Sequence, residues 1–427
     1  MNHLRTPNDR IASAVSEAGN GGSLYGLLDR DEHLRTRATL ANALLILELD
    51  PDVAGLCAYD EFAERFVLTR PPPPARSANP PLPGPYPRPW TVQDAALVLA
   101  YMQRAWSHRF TMLTVEQAMP TDARRNGYHP VRDWLATLRW DGHDRLSVWL
   151  AKAFGCPADG FAGDYHRRAG RAFLVAAVKR VRKPGVKFDH TPVLEGLQGL
   201  GKSTAFRRLF GEDWFSDSLP PDLASKDAAM ALAGCWCLEM AELQQLIRAH
   251  PAEVKAFLTR QVDRFRPPYG KTYIDRPRQT VLVGTTNEAE WLADVTGNRR
   301  FWPLACSHVD LDWIDANRDQ LWAEAAACEA AGEAWWLADE DSRRGAEEAQ
   351  AERLIEDAWA EKVLRHLNEM GRVEVTTSSV MDAIGIPIAQ QNRASQMRVA
   401  AIIRGSGWGK MHTERGKVWV SPTRLGR

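Results

Sequence analysis

Eight consecutive residues carry the sharpest chemical signal in this chain: Gly196-Leu197-Gln198-Gly199-Leu200-Gly201-Lys202-Ser203, with Thr204 following. Their spacing is G-x-x-x-x-G-K-[ST], the pattern of a phosphate-binding loop. Glycines let backbone N–H groups turn inward around phosphate oxygens, and a helix N-terminus adds a dipole favourable to an anion. The apolar run 191–194 predicts a buried strand before the loop, and 205–209 predicts an amphipathic helix after it. Gly196, Gly199, Leu200, Gly201, Lys202, Ser203 and Thr204 are therefore the expected nucleotide cradle. In it Lys202 would reach the β- and γ-phosphates and the Ser203 hydroxyl would ligate Mg²⁺, so ATP and Mg²⁺ are the expected cofactors.

Phosphoryl transfer also needs an acidic metal partner, a group that orients and deprotonates water, a group that senses the γ-phosphate, and a cation for transition-state charge. Glu239 ends the apolar run 235–238 and suits the acidic position that holds Mg²⁺ through water. Glu242 suits the base. The roles are ranked in that order, with their exchange, or both duties on Glu239, left open by the spacing. Asn287 follows the buried run 280–284 and suits the γ-phosphate contact. Arg299 and Arg300 stand as the candidate cations, in a position to serve a neighbouring subunit's nucleotide if the chain forms a ring.

These groups need a scaffold. Between 164 and 304, apolar runs alternate with helical stretches, which predicts an α/β domain with a largely parallel sheet. Residues 35–66 show helical periodicity, with Leu40, Ala43, Leu44, Ile46 and Leu47 on one stripe. Residues 91–106 predict a helix capped by Thr91, with Val92, Ala96, Leu99 and Met102 on its apolar face. Proline crowding makes 70–90 a stiff loop. The expected organisation is multidomain: a loose tail at 1–30, an all-α region at 31–163, a P-loop ATPase domain at 164–336, an exposed acidic helical linker at 337–360, and a unit at 361–427. In this last unit helices precede two paired strands, the pattern of a winged helix.

Composition sets outer bounds. The chain has 427 residues, 44% hydrophobic and 25% charged, which suits a soluble protein of several domains. No run approaches the ~20 apolar residues of a membrane span, and the N-terminus lacks the apolar core of a signal peptide. The six cysteines are scattered without metal-ligand spacing, as suits a reducing cytosol. Fifty-four basic residues balance 54 acidic ones. The neutral total conceals basic stretches at 167–187 and near the C-terminus, which reopens nucleic acid as a partner.

Taken together, Gly196–Thr204, Glu239–Leu243, Gly284–Glu288 and the TGNRRFWP run at 296–303 resemble the virulence-associated E family of phage and genomic-island replication proteins, related to superfamily 3 AAA+-like helicases. The resemblance extends upstream to the stretch at 129–150. It implies a DNA-stimulated ATPase, a ring-forming replicative helicase of hexameric type in the bacterial cytoplasm, with 35–163 as the collar of the ring. Its partners would be DNA, copies of itself and phage or host replication proteins. By the same resemblance, Lys271, Arg276 and Arg278 fall where such helicases carry a hairpin into the central channel. In the C-terminal unit, Arg393, Arg398, Lys410, Arg415 and Lys417 are the expected DNA contacts. The chain shows no paired-carboxylate or zinc-ribbon pattern for priming, so priming is not expected. Two rivals are an initiator or loader that uses ATP only as an assembly switch, and an oligomerising anti-phage or signalling NTPase.

Overall fold

In a computed structural model the chain is described over residues 24–73, 85–267, 272–292, 298–355, 357–369, 374–413 and 416–422. The expectations for most of the 1–30 tail, for 74–84, for Lys271, for the 293–297 stretch and for Arg415 lie outside these residues.

The N-terminal region is not all helical. A helix at Leu40–Leu49, capped by the Thr39 side chain on Asn42 N–H, gives way to β1 (Cys57–Asp60) and β2 (Arg65–Leu68). These pair antiparallel, and with β3 (Arg88–Pro89) and β4 (Gly127–Tyr128) they form a sheet ordered β3-β2-β1-β4. The helix expected over 35–66 is present only at Leu40–Leu49. Beyond it, four-residue strands are too short for periodicity to separate from a helix, and what settles them is the partner each finds across the sheet. Their buried residues close a core with Leu47, Val98, Met102, Val115 and Met119.

The helix Val92–Ala105 does begin at a Thr91 capping box, with Asp94 also held by Arg88 at 2.6 and 2.8 Å. Its buried face is Ala95, Val98 and Met102, and Val92 is exposed, so the face is rotated from the one the sequence suggests. Next to it, on Met112–Arg125, the buried Asp122 carboxyl is pushed up to about 7 by desolvation. A folded pKa above the unfolded one means that the folded state keeps a proton which the unfolded state releases. Stability therefore falls as pH rises from about 4 to 7, and the full penalty is present above that. Asp122→Asn should be more stable than the parent at pH 8 by on the order of 1–3 kcal/mol, with no gain at pH 4. Urea melts at both pH values check this, and an equal gain at each would contradict it.

The central sheet is five-stranded and wholly parallel: β5 (Thr191–Glu195), β6 (Phe215–Ser216), β7 (Cys237–Met240), β10 (Val281–Thr286) and β11 (Phe301–Ala305), in the order β11-β5-β10-β7-β6. β8 (Val262–Phe265) and β9 (Ile274–Pro277) form a separate antiparallel pair. Parallel strands need both faces covered, which is why β5 and β10 are buried along their whole length. The helices Gly160–Arg182 and Leu311–Ala330 cover one face and share a core with Phe206, Phe210, Trp236 and Trp322. The boundary expected at 163/164 falls inside the single helix Gly160–Arg182.

Two expectations about charge do not hold. The basic stretch at 167–187 is largely neutralised: Arg167 pairs with Asp164, Arg168 with Asp339, Arg171 with Glu333 and Glu324, and Lys179 and Arg182 with Glu329. The 337–360 segment is not an exposed linker. Its helix Glu340–Glu352 packs on Gly160–Arg182 and β11, burying Ser342, Gly345, Ala346 and Gln350. Small residues permit this approach: a Cβ on Gly345 would stand 2.8 Å from the Tyr165 Cβ.

In the C-terminal unit, helices Ala360–Glu369, Thr377–Ala383 and Arg393–Gly405 surround Val380, Val399, Ile403 and Trp419. β12 (Glu374–Val375), β13 (Gly409–Thr413) and β14 (Gly416–Val420) form an antiparallel sheet ordered β12-β14-β13. Among the described residues no helix is long and apolar enough to cross a membrane.

Candidate functional site

The candidate site lies where the central strands β5, β10 and β7 end, since open α/β sheets place ligands beyond the carboxyl ends of their strands. β5 ends at Glu195 and the glycine loop follows. Gly196 cannot be replaced without displacement, because a Cβ there would meet the Cys306 carbonyl oxygen at 2.4 Å. Gly199 and Gly201 hold φ of 82° and 88°, which turn the loop back into the helix Lys202–Phe210.

Lys202 Nζ donates to the Gly196 and Leu197 carbonyls at 2.7 and 2.9 Å and to Asn287 Oδ1 at 3.0 Å. Desolvation lowers the Lys202 pKa, opposed by nearby Cys306 and Glu239. The bond to Asn287 joins the loop to the end of β10, 85 positions away in sequence.

Glu239, fully buried on β7, accepts from the Ser203 hydroxyl at 2.8 Å and from the Thr285 hydroxyl at 2.6 Å, both on Oε1. Its second oxygen, Oε2, has no hydrogen-bond partner. Glu242 sits just past β7 in the left-handed region, φ 49° and ψ 44°. A non-glycine residue there carries strain of about 1–3 kcal/mol, of the sort that gathers at functional sites. The loop from Gly199 to Thr204, Glu242 and residues 285–287 line one cavity of about 400 Å³. A space of this size is within the range for a small-molecule ligand. Lys202, Ser203, Glu242 and Asn287 thus share a crevice, with Glu239 directly beneath it.

Arg299 and Arg300 are not brought to this crevice. They precede β11, whose Phe301 is in register with Thr191 at the start of β5, so they stand at the opposite end of the sheet from the loop. A five-residue strand spans roughly 13–16 Å. Arg299 is exposed, and its carbonyl accepts from His190 Nδ1.

Two of the expected hairpin contacts are structural instead. Arg278 is buried and bound by Nε and Nη2 to Asp263 at 2.6 and 2.8 Å. Arg276 pairs with Glu64 at 2.7 Å and covers the Phe265 ring. The outward groups are Arg264 and Tyr273, with Arg266 also exposed just past β8. Strand alternation carried that signal: Val262 and Arg264 face out while Asp263 and Phe265 face in. Arg393, Lys410 and Lys417 are exposed in the C-terminal unit, whereas Arg398 is bound to Asp357 and lies 4.0 Å over the Trp359 ring.

Sequence reasoning missed Thr285, although a hydroxyl within a buried strand signals a required partner. It also missed the group behind the loop. Glu195 accepts from Trp291 Nε1 at 2.7 Å and pairs with Arg353 at 2.9 Å, tying the end of β5 to the segment that follows the helix Glu340–Glu352.

The model of the virulence-associated protein E-like domain matches residues 135–355. The chain belongs to that family. The virulence-associated E-like span opens within the helix Pro130–Thr137. It holds the whole parallel sheet, the glycine loop and Arg353, and leaves the β1–β4 sheet and the C-terminal unit outside. No curated protein matches the chain. Similar solved structures include three of the C-terminal region of NrS-1. Two have 12% identity and a TM-score of 0.39, covering 67% of this chain and 77% and 78% of those chains. A third has 13% identity and a TM-score of 0.36, covering 67% of this chain and 77% of that one.

Proposed function

We propose that this protein is a Mg²⁺-dependent, DNA-stimulated ATPase of the P-loop, AAA+-like class, working as a ring-forming replicative helicase of a phage or genomic island in the bacterial cytoplasm. The observation that carries the reading is the convergence of Lys202, Ser203, Glu239 and Asn287 from three neighbouring strands on one crevice. The donor set fits a magnesium ion, since Glu239 Oε2 is buried without a partner while its Oε1 accepts from the Ser203 hydroxyl. Among the described residues no group of three acidic, His or Cys side chains could hold a metal alone, so the ion would arrive with the nucleotide. When bound it neutralises charge on the β- and γ-phosphate oxygens.

In this reading the loop amides and Lys202 hold the triphosphate, Glu242 orients and deprotonates water at the mouth, and Asn287 contacts the γ-phosphate. Arg299 and Arg300, a strand's length from their own loop, serve the nucleotide of the next subunit in the ring. The hairpin β8–β9 meets DNA through Arg264, Arg266 and Tyr273. The C-terminal unit acts as a winged helix that meets duplex phosphates through Arg393, Lys410 and Lys417.

Phosphate release with and without DNA, together with strand displacement on a forked duplex, tests the proposal. Turnover that rises with DNA and displacement that requires Mg²⁺ and ATP are expected. Hydrolysis with no displacement favours the initiator or loader, and absence of hydrolysis refutes the proposal.

A further inference from the structure

We infer that Thr285 is the positioning residue for Glu239, and through it sets how tightly the crevice takes Mg²⁺ with nucleotide. This inference rests on the function proposed above. β10 and β7 run side by side with Val283 opposite Glu239 and Gly284 opposite Met240, which places Thr285 one step nearer the crevice. Gly284 lets β10 lie close, since a Cβ there would meet Leu243 Cδ2 at 2.6 Å and Val193 Cγ2 at 3.2 Å. Thr285 is buried and its hydroxyl donates to Glu239 Oε1 at 2.6 Å, the shorter of the two bonds to that oxygen.

The asymmetry of the carboxylate is the argument. Both hydroxyl donors fall on Oε1, and Oε2, buried, has none. A charged oxygen kept from water needs a donor or a cation. Two donors on one oxygen fix the plane of the carboxylate and leave the other oxygen as its unfilled acceptor. Without Thr285 that orientation would depend on the Ser203 hydroxyl alone, the group whose own oxygen is needed for the ion. Two residues further on, Asn287 of the same segment accepts from Lys202. One strand end therefore fixes both the acidic and the cationic side of the crevice.

The test is a Mg²⁺ titration of fluorescent ATP-analogue binding to the full chain, the Thr285→Val variant and the Thr285→Ser variant. Valine keeps the shape and removes the donor. It should raise the half-saturating Mg²⁺ about 10–100-fold, the usual effect of losing a group that orients a metal partner. Nucleotide binding in EDTA should stay unchanged, and serine should restore the Mg²⁺ dependence. An unchanged Mg²⁺ requirement in the valine variant overturns the assignment, as does failure of serine to restore it, or parallel loss of binding in EDTA. If the unaltered chain binds no Mg²⁺–nucleotide at all, the proposed function itself falls and takes this assignment with it.

Discussion

Replacing Lys202 by alanine is expected to lower ATP turnover at least about 10²–10³-fold, the scale set by losing one preorganised donor to developing charge. The chain should remain folded. Lys202 Nζ is held by two loop carbonyls and by Asn287 Oδ1. None of the three groups it binds is charged, and the turn of the loop rests on Gly199 and Gly201. Desolvation already opposes the ammonium, so its loss returns part of that cost. Phosphate release and thermal melting, measured together, check the prediction. Normal turnover in a folded Lys202→Ala chain would refute the loop's assigned role.

The largest stability effect is expected at Arg278. Its side chain and that of Asp263 are each only 2% exposed, and Arg278 is the nearer of the two cations paired with Asp263, Arg260 standing at 3.7 Å. Arg278→Met leaves the buried Asp263 carboxylate with only the longer contact to Arg260 at 3.7 Å, which should cost about 3–5 kcal/mol. The same change removes the donor to the Phe257 carbonyl and the cation 4.4 Å over the Phe257 ring. Replacing both partners, Asp263→Leu with Arg278→Met, should recover most of that loss, because the buried carboxylate goes with its cation and Arg260, 30% exposed, keeps access to water. The exposed Arg264→Ala nearby should change stability by no more than about 0.5 kcal/mol. Urea unfolding of the three variants separates them. If Arg278→Met melts with the parent and loses only DNA binding, the reading of Arg278 as a DNA contact is restored.

Arg278 also shows why some of the site was illegible beforehand. A sequence gives the charges but not the pairs. Arg278 finds Asp263 fifteen positions away, Arg398 finds Asp357 at 41, and Arg276 finds Glu64 at 212. Each had the composition of a DNA contact, and each serves the fold. The same gap hid the packing of Glu340–Glu352: a strongly charged segment suggests solvent, and only the facing Tyr165 shows that Gly345 and Ala346 are a contact surface. The β1–β2 hairpin was lost for a related reason, since four-residue strands owe their existence to a partner rather than to a period.

What the chain determined by itself was local. The glycine loop depends on consecutive residues and their backbone torsions, so its spacing was enough to locate it. Glu239 and Asn287 were legible because a polar residue at the end of an apolar run marks the exit of a buried strand. Tertiary structure alone decided the rest: that both exits open on the loop, that Thr285 and Ser203 share one oxygen of Glu239, and that Arg299 and Arg300 stand at the far end of the sheet. Those facts follow from strand order and parallel register, which are set by long-range packing that no short stretch of sequence encodes.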